Sequence, residues 1–194
     1  ELKEVILAEY DYKIKTTALD EYKELDSALC LDGNKKLKDQ WYLNHCGIPD
    51  SFKYIKNLGG SSSVVVAVID TGVDIDHEDL SHNIWKNTKE IPDNGIDDDR
   101  NGYVDDYYGV NLVSGRGNGD DDNGHGTHVA GIIAAQNNHI GTIGIAYKTT
   151  IMPIKAAAAS GYFLQSDIAK AVRYAYENGA EVINMSFGGS ACSI

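Results

Sequence analysis

Val64-Val65-Val66-Ala67-Val68-Ile69-Asp70-Thr71-Gly72 runs through six apolar residues, five of them β-branched, and ends on an acid, a hydroxyl and a glycine. A continuous β-branched run, rather than an alternating one, predicts a strand covered on both faces, as in a parallel sheet. Thr149–Ile154 reads as a second such strand and Glu181–Ser186 as a third. Between them, Ser166-Asp167 is expected to cap a helix whose apolar stripe is Ile168, Ala171, Val172 and Ala175, with Gly179 as its stop. Strand, helix and strand in this order predict an α/β fold with right-handed crossovers and a parallel sheet. Function in such sheets gathers at the carboxyl ends of the strands. Asp70 and Ser186 both stand at such ends.

The chain has 194 residues, enough for one domain with a real core, and a net charge of −12. The charge is local. From Asp93 to Asp122 there are nine Asp against two Arg. Such a surface repels nucleic acid, which needs basic patches. No apolar run is long enough to span a membrane. The chain opens on Glu1 without a leader segment, so a processed product or a piece is expected, with any targeting segment gone. Cys30, Cys46 and Cys192 show no CxxC spacing, which argues against a zinc knuckle or a redox pair. Pro49–Asn57 reads as a short helix, terminated by Gly59-Gly60.

Asn123-Gly124-His125-Gly126-Thr127-His128-Val129-Ala130-Gly131 sets a histidine in a glycine-rich turn ahead of a small-residue helix. A serine hydroxyl needs a histidine as base, and the imidazole needs an acid to fix its tautomer. Asp70 followed by His125 is one known chain order for such an acid and base. No serine in a nucleophile motif follows before Ile194. His125 and His128 at i, i+3 also permit a metal pair, but no third ligand has motif spacing. His128 is expected to be buried and hydrogen-bonded.

These segments together resemble the subtilisin-like serine protease (subtilase) family. Val66–Gly72 matches its V-A-V-I-D-[ST]-G motif, and His125–Gly131 its H-G-T-H-V-A-G motif. Val182-Ile183-Asn184-Met185-Ser186-Phe187-Gly188-Gly189 matches a third, V-I-N-M-S-[LF]-G-G. The resemblance implies a three-layer sandwich with a parallel sheet, of which residues 38–194 are the amino-terminal part. It implies a serine endopeptidase working through an acyl-enzyme, with Asp70 as triad acid and His125 as general base. The serine and the oxyanion-hole asparagine would lie beyond Ile194, so residues 1–194 alone are expected to be inactive. A companion fragment carrying the remainder is the alternative source of the serine. Ser186, Phe187 and Gly188 would form one substrate wall, and Gly161, Tyr162 and Phe163 the other. Phe163 stands where the family often has glycine, and Ala156–Ala159 also departs from its usual residues. A peptide or protein substrate would add a strand between the walls by β-augmentation.

Asp97-Asp98-Asp99-Arg100-Asn101-Gly102-Tyr103-Val104-Asp105 contains D-x-D-x-N-G, the first half of an EF-hand-type calcium loop. Oxygen ligands packed this closely repel one another unless a hard cation neutralises them. Position 12 is Tyr108 rather than Glu, which excludes a full EF-hand. Asp97, Asp99, Asn101, the Tyr103 carbonyl and Asp105 are the expected ligands, with Asp106 as the alternative closing acid. A second Ca2+ site is implied by the resemblance alone. Gln136-Asn137-Asn138-His139-Ile140-Gly141-Thr142 is similar to a subtilase loop that wraps calcium. Asn138 would supply a side-chain oxygen, Gln136, Ile140 and Thr142 carbonyls, and Asp79 a carboxylate. Asp32, Asn34 or Asp39 would add a ligand from the amino-terminal arm.

Glu4–Tyr12 resembles the closing strand of a subtilase propeptide, with Tyr10 where the family has proline. Residues 1–14 are then the end of an inhibitory propeptide and 15–37 a connector or processing region. The family implies a zymogen and a secreted or cell-surface setting. Two rival readings stand beside the enzyme. One is a non-catalytic subtilase-fold binding or scaffold protein. The other is a metal hydrolase built on His125 and His128.

Overall fold

The computed structural model describes residues 40–48, 51, 54 and 58–188. The expected propeptide end, the 15–37 connector, Asp32, Asn34 and Asp39, Cys30 and Cys192, and most of the Pro49–Asn57 helix lie outside the described residues.

Four strands among the described residues form one parallel sheet: β1 (Val65–Asp70), β2 (Val110–Asn111), β3 (Thr150–Lys155) and β4 (Val182–Asn184). Their order is β2-β3-β1-β4. The first two predicted strands are each displaced by one residue. Expected Glu181–Ser186 is shorter at both ends, so residues 185–188 leave the sheet as a loop. β2 has no strong sequence signal, because two residues carry no periodicity.

Two helices cover the sheet, α2 (His125–Ala134) and α3 (Gln165–Glu177). The parity of β1 divides the core. Ala67 and Ile69 pack with Met152, Ile154 and the Ala171, Tyr174 and Ala175 face of α3. Val66 and Val68 pack with Ile151 and with Ala130 and Ala134 of α2. This is the three-layer arrangement that β-branched residues on both strand faces demand. Successive strand residues face opposite sides, so Asp70 falls on the α2 side, where the histidine is. The same parity puts Lys155, at the end of β3, on that side.

The expected cap of α3 is not made. The N-cap is Leu164, without a side-chain cap bond, and the N–H groups of Asp167 and Ile168 bond to its carbonyl. Asp167 instead sits buried in the first turn, paired with Lys170. A short helix not read from the sequence, α1 (Trp41–His45), buries Leu43 against Ile143. Ile69 is fully buried one residue before the end of β1. Ile69→Ala is expected to cost about 2–5 kcal/mol, the range for a buried aliphatic truncation, read as a shift in denaturant midpoint.

Candidate active site

β1 delivers Asp70 to the α2 side of the sheet, fully buried. α2 begins at His125, and its N-cap Gly124 has φ 101°, which glycine adopts without strain. Gly126 then lies so close to the end of β1 that a Cβ there would collide with the Gly72 carbonyl and press on Asp70. The two glycine-bearing motifs therefore fit face to face. His125 Nδ1 meets Asp70 Oδ1 at 2.8 Å, and Asp70 Oδ1 also accepts the Thr71 N–H at 2.7 Å. The His125 side chain remains 45% exposed. With Nδ1–H donated to Asp70, Nε2 carries the lone pair and is free to take a proton.

His128 is exposed, contrary to the expected burial. Gly126, Ala130 and Ala134 are the buried face of α2. Two positions past Gly126 turns a side chain to the opposite face at 100° per residue.

The turn beyond this site is held by several residues that the sequence reading passed over. Asp121 accepts hydrogen bonds from Thr71 Oγ1, Asn123 N, Thr127 N and Thr127 Oγ1 at 2.6–3.0 Å. Lys155 is buried and donates to the carbonyls of Thr71 and Ala157 and to Asp122. A lysine closing an apolar strand was its one signal in the sequence.

The two expected substrate walls are brought together. The 158–163 segment forms a tight turn, with an antiparallel bridge between Ala157 and Phe163. The Phe163 ring stacks on the Phe187 ring with centroids 4.0 Å apart. Gly161 and Tyr162 are exposed beside it. Ser186 Oγ accepts a bond from Asn184 Nδ2 at 2.9 Å. Ala156 and Ala157 are buried, which accounts for small residues there.

Asp79 is buried under the 136–142 loop. Its carbonyl accepts the Gln136 N–H, its Oδ2 accepts the Thr142 N–H, and its Oδ1 has no hydrogen-bond partner among the described residues. Burial raises its carboxyl above the usual carboxylate range, against the opposing pull of Thr142 and Asn138. Asn138 Oδ1 accepts the Ile140 N–H, and Ile140 is exposed. Gln40, not anticipated, clamps the arm to this loop by exchanging bonds with the Ile143 N–H and carbonyl.

In the acidic insert the structure gathers a different set from the one expected. Glu90, Asp99 and Asp106 each offer an oxygen within 4.8 Å of the others. Glu90 Oε1 accepts the Asp98 and Asp99 N–H groups, while Oε2 is buried without a partner among the described residues. Asp106 is fully buried and accepts bonds from Asn87, Asn101 and the Tyr174 hydroxyl. Burial, with nearby carboxylates adding to it, raises the carboxyls of both Glu90 and Asp106. Asp97 caps the N–H groups of Asn101 and Gly102, Asn101 Oδ1 that of Tyr103, and Asp105 those of Asn94 and Gly95. Glu90 lies outside the motif, and only folding reveals it.

A sequence profile described as the subtilase family, peptidase S8, matches residues 61–193. Subtilisin-like protease 1 of Plasmodium falciparum is 41% identical over 150 residues, which are 76% of this chain and 22% of that protein. A thermophilic serine proteinase of Bacillus sp. (strain AK1) is 44% identical over 131 residues, 66% of this chain and 27% of that protein. The chain thus spans about a quarter of the length of these relatives. Among solved structures, a cold adapted subtilisin-like serine proteinase aligns with TM-score 0.50 and 28% identity, over 72% of this chain and 41% of that one. A lanthipeptide protease aligns with TM-score 0.50 and 31% identity, over 72% and 33%. With both motifs meeting through an aspartate–histidine contact at the carboxyl end of a parallel sheet, and a profile covering most of its length, the chain belongs to the subtilase family.

Proposed function

We propose that this chain supplies the acid–base half of a serine endopeptidase whose nucleophilic serine comes from sequence beyond residue 194. One observation carries the reading: the 2.8 Å contact between His125 Nδ1 and Oδ1 of a fully buried Asp70, with the His125 side chain still partly exposed. In this role Nε2 takes the serine proton as the hydroxyl attacks a peptide carbonyl, and returns it to the leaving amine. The buried carboxylate holds the tautomer and stabilises the imidazolium between those two transfers. A peptide lying between residues 161–163 and 186–188 pairs its backbone with these edges. The Phe163 and Phe187 rings stack between the two segments, and in this role their bulk would favour small substrate side chains beside them.

Calcium belongs to the same proposal. The donor sets fit a hard cation, since Asp79 Oδ1 and Glu90 Oε2 are buried carboxylate oxygens lacking a partner among the described residues. Asp79, Gln136, Asn138, Ile140 and Thr142 would hold one ion. Glu90, Asp99 and Asp106 would hold another, with Asp97, Asn101 and Tyr103 beside them. The ion supplies charge neutralisation and a cross-link, not catalysis.

The test is a fluorophosphonate probe on the full-length protein, followed by peptide mapping. The expected label falls on a serine outside residues 1–194, and it is lost in His125→Ala. A label on Ser186, within the third motif, would sink the assignment.

A further inference from the structure

The Asp70–His125 contact joins two segments 55 residues apart in sequence. What holds them in register is a separate polar network centred on Asp121. Its Oδ1 accepts Thr71 Oγ1–H at 2.8 Å and Asn123 N–H at 2.9 Å. Its Oδ2 accepts Thr127 N–H at 3.0 Å and Thr127 Oγ1–H at 2.6 Å.

Each hydroxyl bound by this carboxylate also receives a backbone N–H from the neighbouring segment. Thr71 Oγ1 accepts Gly126 N–H at 3.0 Å, and Thr127 Oγ1 accepts Asp74 N–H at 2.9 Å. A hydroxyl has one proton and must point it somewhere. With Asp121 ionised, both protons point to the carboxylate, and both lone-pair faces are left for the incoming N–H groups. Two relays result, Gly126 to Thr71 to Asp121 and Asp74 to Thr127 to Asp121. They cross in opposite directions between the acid-bearing and the histidine-bearing segments. Thr71 directly follows Asp70, and Gly126 directly follows His125. A third arm runs through Asn123, whose Oδ1 accepts the His125 N–H at 3.2 Å and whose Nδ2 donates to the Ala159 carbonyl at 2.8 Å.

The carboxylate is suited to this task. Burial alone would raise it, but bonds from Thr127 Oγ1 and from the backbone N–H groups of Gly124, Asn123 and Thr127 outweigh burial and hold it below the usual carboxylate range. Charge-assisted bonds of this kind are the strong ones. Its neighbour Asp122 is engaged separately by buried Lys155.

We propose that Asp121 is a positioning residue for the Asp70–His125 pair, fixing the histidine turn to the end of β1 so that its loss falls on turnover rather than on substrate affinity. The proposal rests on the catalytic reading above. Among the described residues the Asp121 carboxylate bonds to Thr71, Asn123, Gly124 and Thr127 and to neither proposed substrate wall, so binding has no direct stake in it.

The experiment uses the full-length, calcium-loaded protein and four variants: Asp121→Asn, Thr71→Val, Thr71→Ser and His125→Ala. Asp121→Asn keeps the shape but turns an amide donor toward hydroxyl and N–H donors. Its kcat is expected to fall about 100-fold, the scale for a misplacement near 1 Å. KM stays within about twofold, because uniform binding is untouched. The fluorophosphonate labelling rate falls in parallel with kcat. Thr71→Val breaks one relay without altering Asp121 and loses turnover in the same way, while Thr71→Ser, which keeps the hydroxyl, recovers it. Should Asp121→Asn not fold, the Thr71 pair still decides. If kcat and the labelling rate stay at wild type in Asp121→Asn and Thr71→Val while only the melting temperature drops, Asp121 is structural and the proposal fails. A rise in KM at constant kcat overturns it equally. His125→Ala separates the two levels: activity surviving there defeats the catalytic reading itself, whatever Asp121 does.

Discussion

Asp70→Asn is expected to lower kcat by on the order of 10⁴-fold in the full-length protein, the general magnitude for the acid of a serine-hydrolase triad, the role proposed for Asp70. The size follows from tautomer control. Asp70 Oδ1 receives both His125 Nδ1 and the Thr71 N–H, and the residue is fully buried. Asparagine has the same shape and keeps one carbonyl oxygen. One amide orientation keeps both bonds on that oxygen but buries an NH2 group at the Oδ2 position, which has no partner among the described residues. The other turns the NH2 toward Nδ1 and the Thr71 N–H, so Nδ1 must accept, the imidazole proton moves to Nε2, and that nitrogen can no longer take the serine proton. In both, the charge that stabilises the imidazolium is gone. Substrate contacts lie on residues 161–163 and 186–188 in this reading, so KM changes little. Steady-state kinetics on a peptide substrate checks the prediction, alongside a melting curve to establish that the variant is folded. A folded variant whose kcat stays within about tenfold of wild type contradicts the role of Asp70 as triad acid.

Much of this site was legible in the chain because the chemistry lies on short contiguous motifs. The β-branched run ending at Asp70 and the glycine-flanked His125 are local signals, and strand parity alone then puts Asp70 on the face that α2 covers. The family resemblance pointed to the 161–163 and 186–188 segments, and the Phe163–Phe187 stack shows that these two segments meet. What escaped was long-range or negative. Asp121 sits in a run of three aspartates that reads as a solvated face, and its importance lies in hydroxyls 50 residues away at Thr71 and six away at Thr127. Glu90 has no motif at all and reaches the acidic insert only through the fold. Asp105 looked like a ligand by spacing, yet a backbone turn at Asn94–Gly95 takes its carboxylate. The exposure of His128 was also misread. The i, i+4 row of Gly126, Ala130 and Ala134 was visible in the sequence and already placed His128 on the other side.

Calcium removal is expected to lower the melting temperature by on the order of 5–10 °C. A site held at 100 times its dissociation constant contributes about 2.7 kcal/mol by linkage, and a domain of this size shifts roughly 2–4 °C per kcal/mol. The sharper prediction concerns sign. Glu90 and Asp106 are buried beside Asp99, with the three offering oxygens within 4.8 Å. Without a cation, burial and the neighbouring carboxylates oppose their ionisation and raise both carboxyls. With calcium, the same oxygens are ligands. Glu90→Gln removes one charge and keeps an oxygen to accept the Asp98 and Asp99 N–H groups now bound by Oε1. In EGTA this variant should melt at or above the wild-type temperature, since a repelling charge has gone. In saturating calcium it should melt below wild type, since a ligand has gone. The two melting curves therefore cross as calcium is titrated. Asp105→Asn provides the contrast, because its carboxylate caps the Asn94–Gly95 turn outside the cluster, and its effect should be the same with calcium or EGTA. A Glu90→Gln variant destabilised equally in both conditions would mean that the cluster is a hydrogen-bonded turn and not a cation site.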